Sequence, residues 1–411
     1  MLAGCVGGTT SLSPTPSEAQ AGQVTFPLGT ATPSEVCGRC HAAVYAEVAF
    51  GTGADLKWKP IIYKSLTDPL LAIPGPFFDT ATGHHLAGVD PWPLRARDVE
   101  NNGASCNTCH YPEAFELPDL ERDQVIHEPT PRTRVEEVVG VTCASCHLTP
   151  DGRIRGRYDP RELLAPHESV RDPNFGTSVT CAFCHSKGPR VVGKQTQTFY
   201  EWRDDYFNAG LGPEQCQDCH MPPVVRPLAE DQGTAPRAIG QHLWPGSHAA
   251  SLIRQALTLS IRQVHGYGRT AGTPLEIHIK NVGAGHSVPS GSNRRGIWLT
   301  ADVIDGGGTT IVHNEWLFAP WYASRPDDRA FLQADENLPD AVAALQADAQ
   351  GPHETPVRAG EERVLTWTPQ LPAGTFTVRV TLLYDLNRYN DRSFTPDQTE
   401  LARSSISIQI P

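Results

Sequence analysis

Residues 216–222 read CQDCHMP, and the first five of them decide how the chain has to be built. Two thiols stand three positions apart with an imidazole directly behind them. The same frame, Cys-x-x-Cys-His, returns as CGRCH at 37–41, CNTCH at 106–110, CASCH at 143–147 and CAFCH at 181–185. Together the five frames use ten of the eleven cysteines. With 11 Cys and 16 His in 411 residues, chance alone would supply roughly 0.01 such frames.

The spacing is the attachment signature of c-type haem, in which two thiols bond covalently to the porphyrin edge and the following imidazole ligates the iron. A thioredoxin-like dithiol needs no trailing histidine, and zinc sites gather two Cys-x-x-Cys halves on one metal. Five frames that each end in histidine fit neither. The expectation is five covalent haem c groups, held by Cys37, Cys40, Cys106, Cys109, Cys143, Cys146, Cys181, Cys184, Cys216 and Cys219. The proximal iron ligands are then His41, His110, His147, His185 and His220. Thiols spent on porphyrin leave none of the frames to form disulfides. Covalent attachment of haem takes place outside the cytoplasm, which makes this an exported chain.

The eleventh cysteine, Cys5, closes LAGC, which resembles the lipobox of bacterial lipoproteins. The following VGGTTSLSPTPSEAQAGQ is small, polar and rich in Pro and Gly, the composition of a flexible tether. Residues 1–32 therefore read as a lipid anchor on Cys5 and its spacer. No apolar run is long enough to span a bilayer, so lipid is the expected membrane attachment, in the periplasm or at the outer membrane and cell surface. The formal charge is −12 with a pI near 5.7, which excludes a phosphate-binding basic face and with it a nucleic-acid role.

Residues 33–270 read as the pentahaem domain. The proximal histidines are separated by 69, 37, 38 and 35 residues, an irregular repeat set in Pro- and Gly-rich sequence with few alternating apolar residues. Short helices and loops with little regular sheet are expected there, with porphyrin supplying the apolar interior. Residues 271–411 have a different texture. Short alternating runs such as LEIHIKNV, GIWLTADVID, RVLTWTP and SSISIQI are joined by Gly, Pro and Asp. In GTFTVRVTLLYDL, Phe376, Val378, Val380, Leu382 and Tyr384 share one face. This is period two, and it predicts an immunoglobulin-like antiparallel β-sandwich. Between the domains, GSHAASLIRQALTLSIRQV has apolar residues near helical spacing and predicts a connecting helix.

Whether a haem relays electrons or reacts depends on its sixth ligand. Met1 is terminal and Met221 abuts His220, too close to reach the opposite face of the same iron. Histidine is plentiful instead, with eleven of the sixteen outside the frames, so bis-histidine ligation is expected for most sites. The candidates are His242 and His248 in GQHLWPGSH, His167 in LAPHES, His127 in QVIHEP and one of the neighbours His84 and His85. His286, in the tight loop NVGAGHSVPSG, either delivers an imidazole to an iron or hydrogen-bonds its own loop. His278 alternates onto the polar side of its strand, and His313 and His353 read as ordinary residues of the sheet domain.

The run from GVTCASCH through APHE, CAFCH, EW and CQDCHMP to HLWPGSH, then NVGAGHSVPSGSNRRGIWL, resembles multihaem c-type cytochromes related to the tetrahaem cytochrome and hydroxylamine oxidoreductase group. In the loop of that group Thr stands where this chain has Ser290. The resemblance spans about 100–320 and implies closely packed haems relaying electrons outside the cytoplasm, with a C-terminal β-domain. Before residue 100 the pattern departs, and a histidine soon after the first haem is missing. The expected function is electron transfer to and from other redox proteins or cytochromes, with no catalytic residue singled out. A reductase or oxidase with one open-site haem, and a homo-oligomer or conducting filament, are the alternatives.

Overall fold

The computed structural model describes residues 34–50, 78–79, 84–85, 115–116, 130–131, 142–149, 151–160, 165–185, 198–230, 234–247, 249–264, 274–291, 295–319, 355–386 and 398–411. Outside these lie Cys5 and its spacer, the frame at 106–110 with Cys106, Cys109 and His110, and His127, His248 and His353. The backbone of His84 and His85 forms a two-residue strand. Contacts divide the described chain into two units. One takes the frames before residue 185 together with 214–245, and the other takes 185–213 together with 246–411.

In the first unit the third, fourth and fifth frames lie in one or two turns of helix, α3 Cys143–His147, α4 Val179–His185 and α5 Cys216–His220, while α1 Ser34–Gly38 ends inside the first frame, with Cys40 and His41 beyond it, and α2 Ala42–Phe50 follows. Helical winding is what the spacing requires, since residues three apart share a face, so both thiols of a frame look the same way. Residues inside the frames also help to start the turn. Ser145 Oγ accepts the Thr142 N–H at 2.8 Å, and the Asp218 carboxylate accepts the Gln215 N–H at 2.7 Å, satisfying amides that a helix start leaves without partners.

Among the described residues, regular sheet in this unit is confined to short pairs. Strands β1 (Ile154–Gly156) and β2 (Ser169–Arg171) run parallel, while β3 (Pro223–Arg226) and β4 (Arg237–Gly240) form a hairpin with Val224 opposite Ile239. This agrees with the loop-rich architecture expected around the frames.

The second unit carries the aliphatic core. Strands β5 (Leu257–Gln263), β6 (Leu275–Asn281), β7 (Gly296–Ile304), β8 (Thr310–Phe318), β9 (Glu362–Trp367), β10 (Gly374–Asp385) and β11 (Gln398–Ile410) make two antiparallel sheets, ordered β9-β6-β5 and β8-β7-β10-β11. Inward residues of both sheets join one cluster, in which Leu275, Ile277, Ile279, Leu299, Val303, Phe318, Val378 and Leu382 have no exposed surface. Each such side chain contributes about 1.5–3 kcal/mol by leaving water. The period-two reading of β10 holds for Phe376, Val378, Val380, Leu382 and Tyr384, all buried.

The connecting helix requires correction. Helix is confined to Ala250–Ile253, and Leu257–Gln263 is strand. Leu257, Leu259 and Ile261 satisfy period two as well as a loose helical spacing, and pairing with β6 along its whole length decides between them. The sheet unit therefore takes in residues well before 270.

Candidate functional site

The described frames are tied together by a repeated device. Ser34 stands three residues before Cys37, and its Oγ accepts the N–H of Cys143, first cysteine of the third frame, at 3.2 Å. Ser178 stands three residues before Cys181, and its Oγ accepts the N–H of Cys216, first cysteine of the fifth frame, at 2.8 Å. The second junction is reinforced by Ser178 N–H to Gln215 Oε1 at 2.9 Å and Gln217 Nε2 to Thr177 O at 2.6 Å. There the thiols of Cys181 and Cys216 meet. Hydrogen bonding between them pushes Cys181 up and holds Cys216 down. Frames one and three, and frames four and five, are thus joined by hydrogen bonds.

The frame histidines are oriented through Nδ1. His41 Nδ1 lies 2.7 Å from Leu228 O, His147 Nδ1 3.0 Å from Arg155 O and His220 Nδ1 2.5 Å from Pro245 O. A carbonyl only accepts, so each ring carries its proton on Nδ1 and leaves the Nε2 lone pair for a metal, as outer-shell partners do for ligating histidines. Strand β1 presents Arg155 O, and the loop after β3 presents Leu228 O.

Two of these rings have a second imidazole facing them. His41 and His167 have ring centres 6.5 Å apart, and His147 and His242 are 6.2 Å apart. His167 is held by Ser169 Oγ at 2.9 Å from its Nδ1. The buried Nδ1 of His242 meets no acceptor in good hydrogen-bond geometry. Burial, then the neighbouring His242, pushes His147 down to about 4, and burial also lowers His167 and His242. These rings are kept neutral, the form that binds metal.

His286 is part-buried on a loop locked on several sides. Asn281 donates from Nδ2 to His286 O at 2.9 Å and Val357 O at 3.2 Å and accepts the Ala284 N–H at 3.0 Å. Glu201 accepts from Ser287 N–H and Ser290 Oγ at 3.2 and 2.6 Å, while Thr198 Oγ1 lies 2.7 Å from Ser290 Oγ. Gly283 is obligatory, because a Cβ there would sit 2.1 Å from Gln255 O. The imidazole Nδ1 lies 2.9 Å from Ser287 O, the loop bond that was one of its two expected roles. His278, as expected on the polar side, lies between Glu362 and Glu276 at 2.8 and 3.3 Å. His185 is exposed.

The residues fit covalent haem. In the described frames the thiol pairs precede their histidines directly, three of those histidines have Nδ1 on a carbonyl, and two face a second ring. Among the described residues no three His, Cys, Asp or Glu side chains converge as a metal-holding group. The expectation that no frame thiol pairs meets one exception, since Cys40 is disulfide-bonded. Attachment of haem needs that sulfur as a thiol. The residues the sequence reading missed are Ser34, Ser178 and the group Glu47, Arg226 and Gln241. Only the serines had a visible signal, the shared Ser-x-x-Cys-x-x-Cys-His of frames one and four.

The fold is similar to that of a penta-heme cytochrome c552 from Thermochromatium tepidum, with a TM-score of 0.51 and 19% identity over 93% of this chain and 100% of that one. The C-terminal domain of wzt aligns over 38% of this chain and 74% of that one at 12% identity, with a TM-score of 0.21. No protein-family model matches the chain, and no curated protein matches it. Among the described residues no helix is long and apolar enough to cross a membrane.

Proposed function

We propose that the chain is an extracytoplasmic electron-transfer protein carrying five covalent c-type haems, most of them with histidine on both faces of the iron. Bound iron porphyrin supplies the one-electron sites. The observation that carries this reading is the separation of the imidazole pairs. Rings coordinated on opposite faces of one metal, each nitrogen about 2 Å from it and each ring centre about 1.2 Å further out, have centres about 6.4 Å apart. The pairs at 6.5 and 6.2 Å match that figure. His167 is accordingly the distal ligand opposite His41, which supplies the partner that the sequence before residue 100 lacked. His242 is the distal ligand opposite His147.

The chain's own work is to hold and orient. Leu228, Arg155 and Pro245 carbonyls fix three proximal rings, and Ser34 and Ser178 hold frames one with three and four with five, which supports electron hops within those pairs. His286, on its braced loop, is a further axial ligand. The two-sheet unit is read as an immunoglobulin-like sandwich that docks other redox proteins, and Cys5 as the lipidated anchor to the periplasmic or outer cell surface.

The test is His167→Ala and His242→Ala in the five-haem protein. Each variant converts one fifth of the iron from low-spin to high-spin in electron paramagnetic resonance and opens one site to carbon monoxide. Five low-spin irons indifferent to carbon monoxide in both variants would reject the pairing.

A further inference from the structure

We propose that Glu47, on the helix that follows the first frame, is a positioning residue for the axial imidazole of a different site, that of the third frame, and that its charge lowers the reduction potential there. The inference rests on the reading of His242 as the ligand opposite His147.

Glu47 is 2% exposed, so its carboxylate needs a reason to be there. Its two oxygens take Arg226 Nη1 and Nη2 at 2.7 and 2.8 Å, a bidentate pair. Oε2 also accepts the backbone N–H of His242 at 2.9 Å, and Oε1 lies 3.4 Å from Gln241 Nε2. His41 and His147 are aimed by carbonyls on Nδ1, the usual arrangement for a ligating imidazole. His242 has only weaker support of this kind: no acceptor meets its buried Nδ1 in good hydrogen-bond geometry, and the backbone of Gly240 gives a lesser contact that raises the ring against its burial. Its ring is steered from behind instead, by the clamp on its own amide and by the edge of Trp244 with ring centres 5.5 Å apart. Arg226 ends β3 and His242 lies two residues beyond β4, so the ion pair closes the hairpin against α2 and fixes where the ring hangs.

The charge has a separate consequence. Arg226 offsets the carboxylate, and removing only the negative member leaves an uncompensated guanidinium close to the third site. A buried positive charge disfavours the ferric form. Glu47→Gln keeps an oxygen for the His242 N–H but loses the charge. The expected result is five low-spin haems with one midpoint raised, by about a tenfold change in the oxidised-to-reduced ratio, or about 59 mV for one electron. Glu47→Ala removes the clamp as well, and one iron in five becomes high-spin and binds carbon monoxide.

Both variants are made in the full five-haem protein beside His242→Ala, with paramagnetic resonance, carbon monoxide difference spectra and a spectroelectrochemical titration as readouts. Unchanged midpoints in Glu47→Gln overturn the proposal. So do five carbon-monoxide-indifferent irons in Glu47→Ala. His242→Ala separates the two levels: one high-spin iron there, with none in Glu47→Ala, removes the role of Glu47 alone, whereas none in His242→Ala removes the ligand pairing beneath it. If Glu47→Ala does not accumulate with five haems, the Glu47→Gln midpoints decide.

Discussion

Replacing Asn281 with alanine should loosen the loop that carries His286 by an amount the structure allows to be worked out. Asn281 is 1% exposed, and its side chain makes three hydrogen bonds, to the carbonyls of His286 and Val357 and from the N–H of Ala284. Val357 O keeps a second partner, the Val288 N–H at 2.9 Å. The alanine variant therefore strands two backbone groups, the Ala284 N–H and the His286 carbonyl. Stranding a buried polar group costs about 1–3 kcal/mol. Both residues are part-buried, so water relieves some of this and the sum is about 2–4 kcal/mol. At about 1.4 kcal/mol per factor of ten, amide exchange of Val288 and Val357 should accelerate by roughly 30- to 1000-fold if the loop opens as a local unit. Hydrogen exchange read by mass spectrometry on peptides covering 281–291 and 355–360 measures this directly. Asn281→Asp should be no better, since it keeps the acceptor for Ala284 but sets a carboxylate against two carbonyls. On the proposed reading of His286 as an axial ligand, the same alanine variant also produces one carbon-monoxide-sensitive haem. Acceleration of less than about threefold would refute the claim that Asn281 holds the loop.

Ser178→Ala leaves the Cys216 N–H without its acceptor, and Ser34→Ala does the same to Cys143. Each is expected to destabilise its junction by about 1–3 kcal/mol and to shift haem-methyl resonances of two haems only, the fourth and fifth for Ser178 and the first and third for Ser34; equal shifts at all five would contradict the pairing of frames. On the sheet face, His313 lies 2.7 Å from Asp302 and 3.2 Å from Glu315, with Arg379 also on Asp302 at 3.2 Å. Its hydrogen bond to Asp302 raises His313, and although burial pushes Asp302 up, His313 and Arg379 outweigh this and hold it below its ordinary value. The His313 contribution is complete below about pH 6.5 and fades as pH rises through the raised value, while the Asp302 contribution is lost as pH falls below about 4. For so exposed a pair the effect is about 0.2–1 kcal/mol. Urea midpoints of the protein and of His313→Gln should therefore differ most near pH 5.5 and converge near pH 8.5; a gap independent of pH would dismiss the ion pair.

The parts of this architecture legible in sequence are those with a short period. A frame of five residues writes its own helix turn, and alternation writes β10. The failure at 257–263 comes from the same rule, because Leu257, Leu259 and Ile261 fit two periods and only pairing with β6 distinguishes them. The histidines proposed as distal ligands were legible as residue type and not as pairs. His167 stands 126 positions from His41, and His242 stands 95 from His147; no local pattern encodes a meeting across that distance. Glu47 was invisible for the same reason, its partners Arg226 and His242 being brought to it by a hairpin whose turn carries no special signature.

The two units differ in what fills them, and that difference bears on why the ligands sit where they do. Among the described residues, the sheet unit buries a continuous set of Leu, Ile, Val and Phe, whereas the buried apolar residues of the frame unit are few and small: Ala144, Ala182 and Ala229, with Phe183, Ile239 and Leu243. Three alanines and three larger residues cannot offset the conformational entropy of ordering so many loops. On the proposed function the frame unit depends on covalent haem for an interior, and among the polar contacts it buries, Ser34 to Cys143 and Ser178 to Cys216 end on frames, and Glu47, beside its pairing with Arg226, holds the backbone of His242. Polar networks of this kind give little net stability and much geometric definition. Definition is what electron hopping demands, because the spacing and orientation of successive sites, and the charges beside them, are the quantities that a chain of this composition can control.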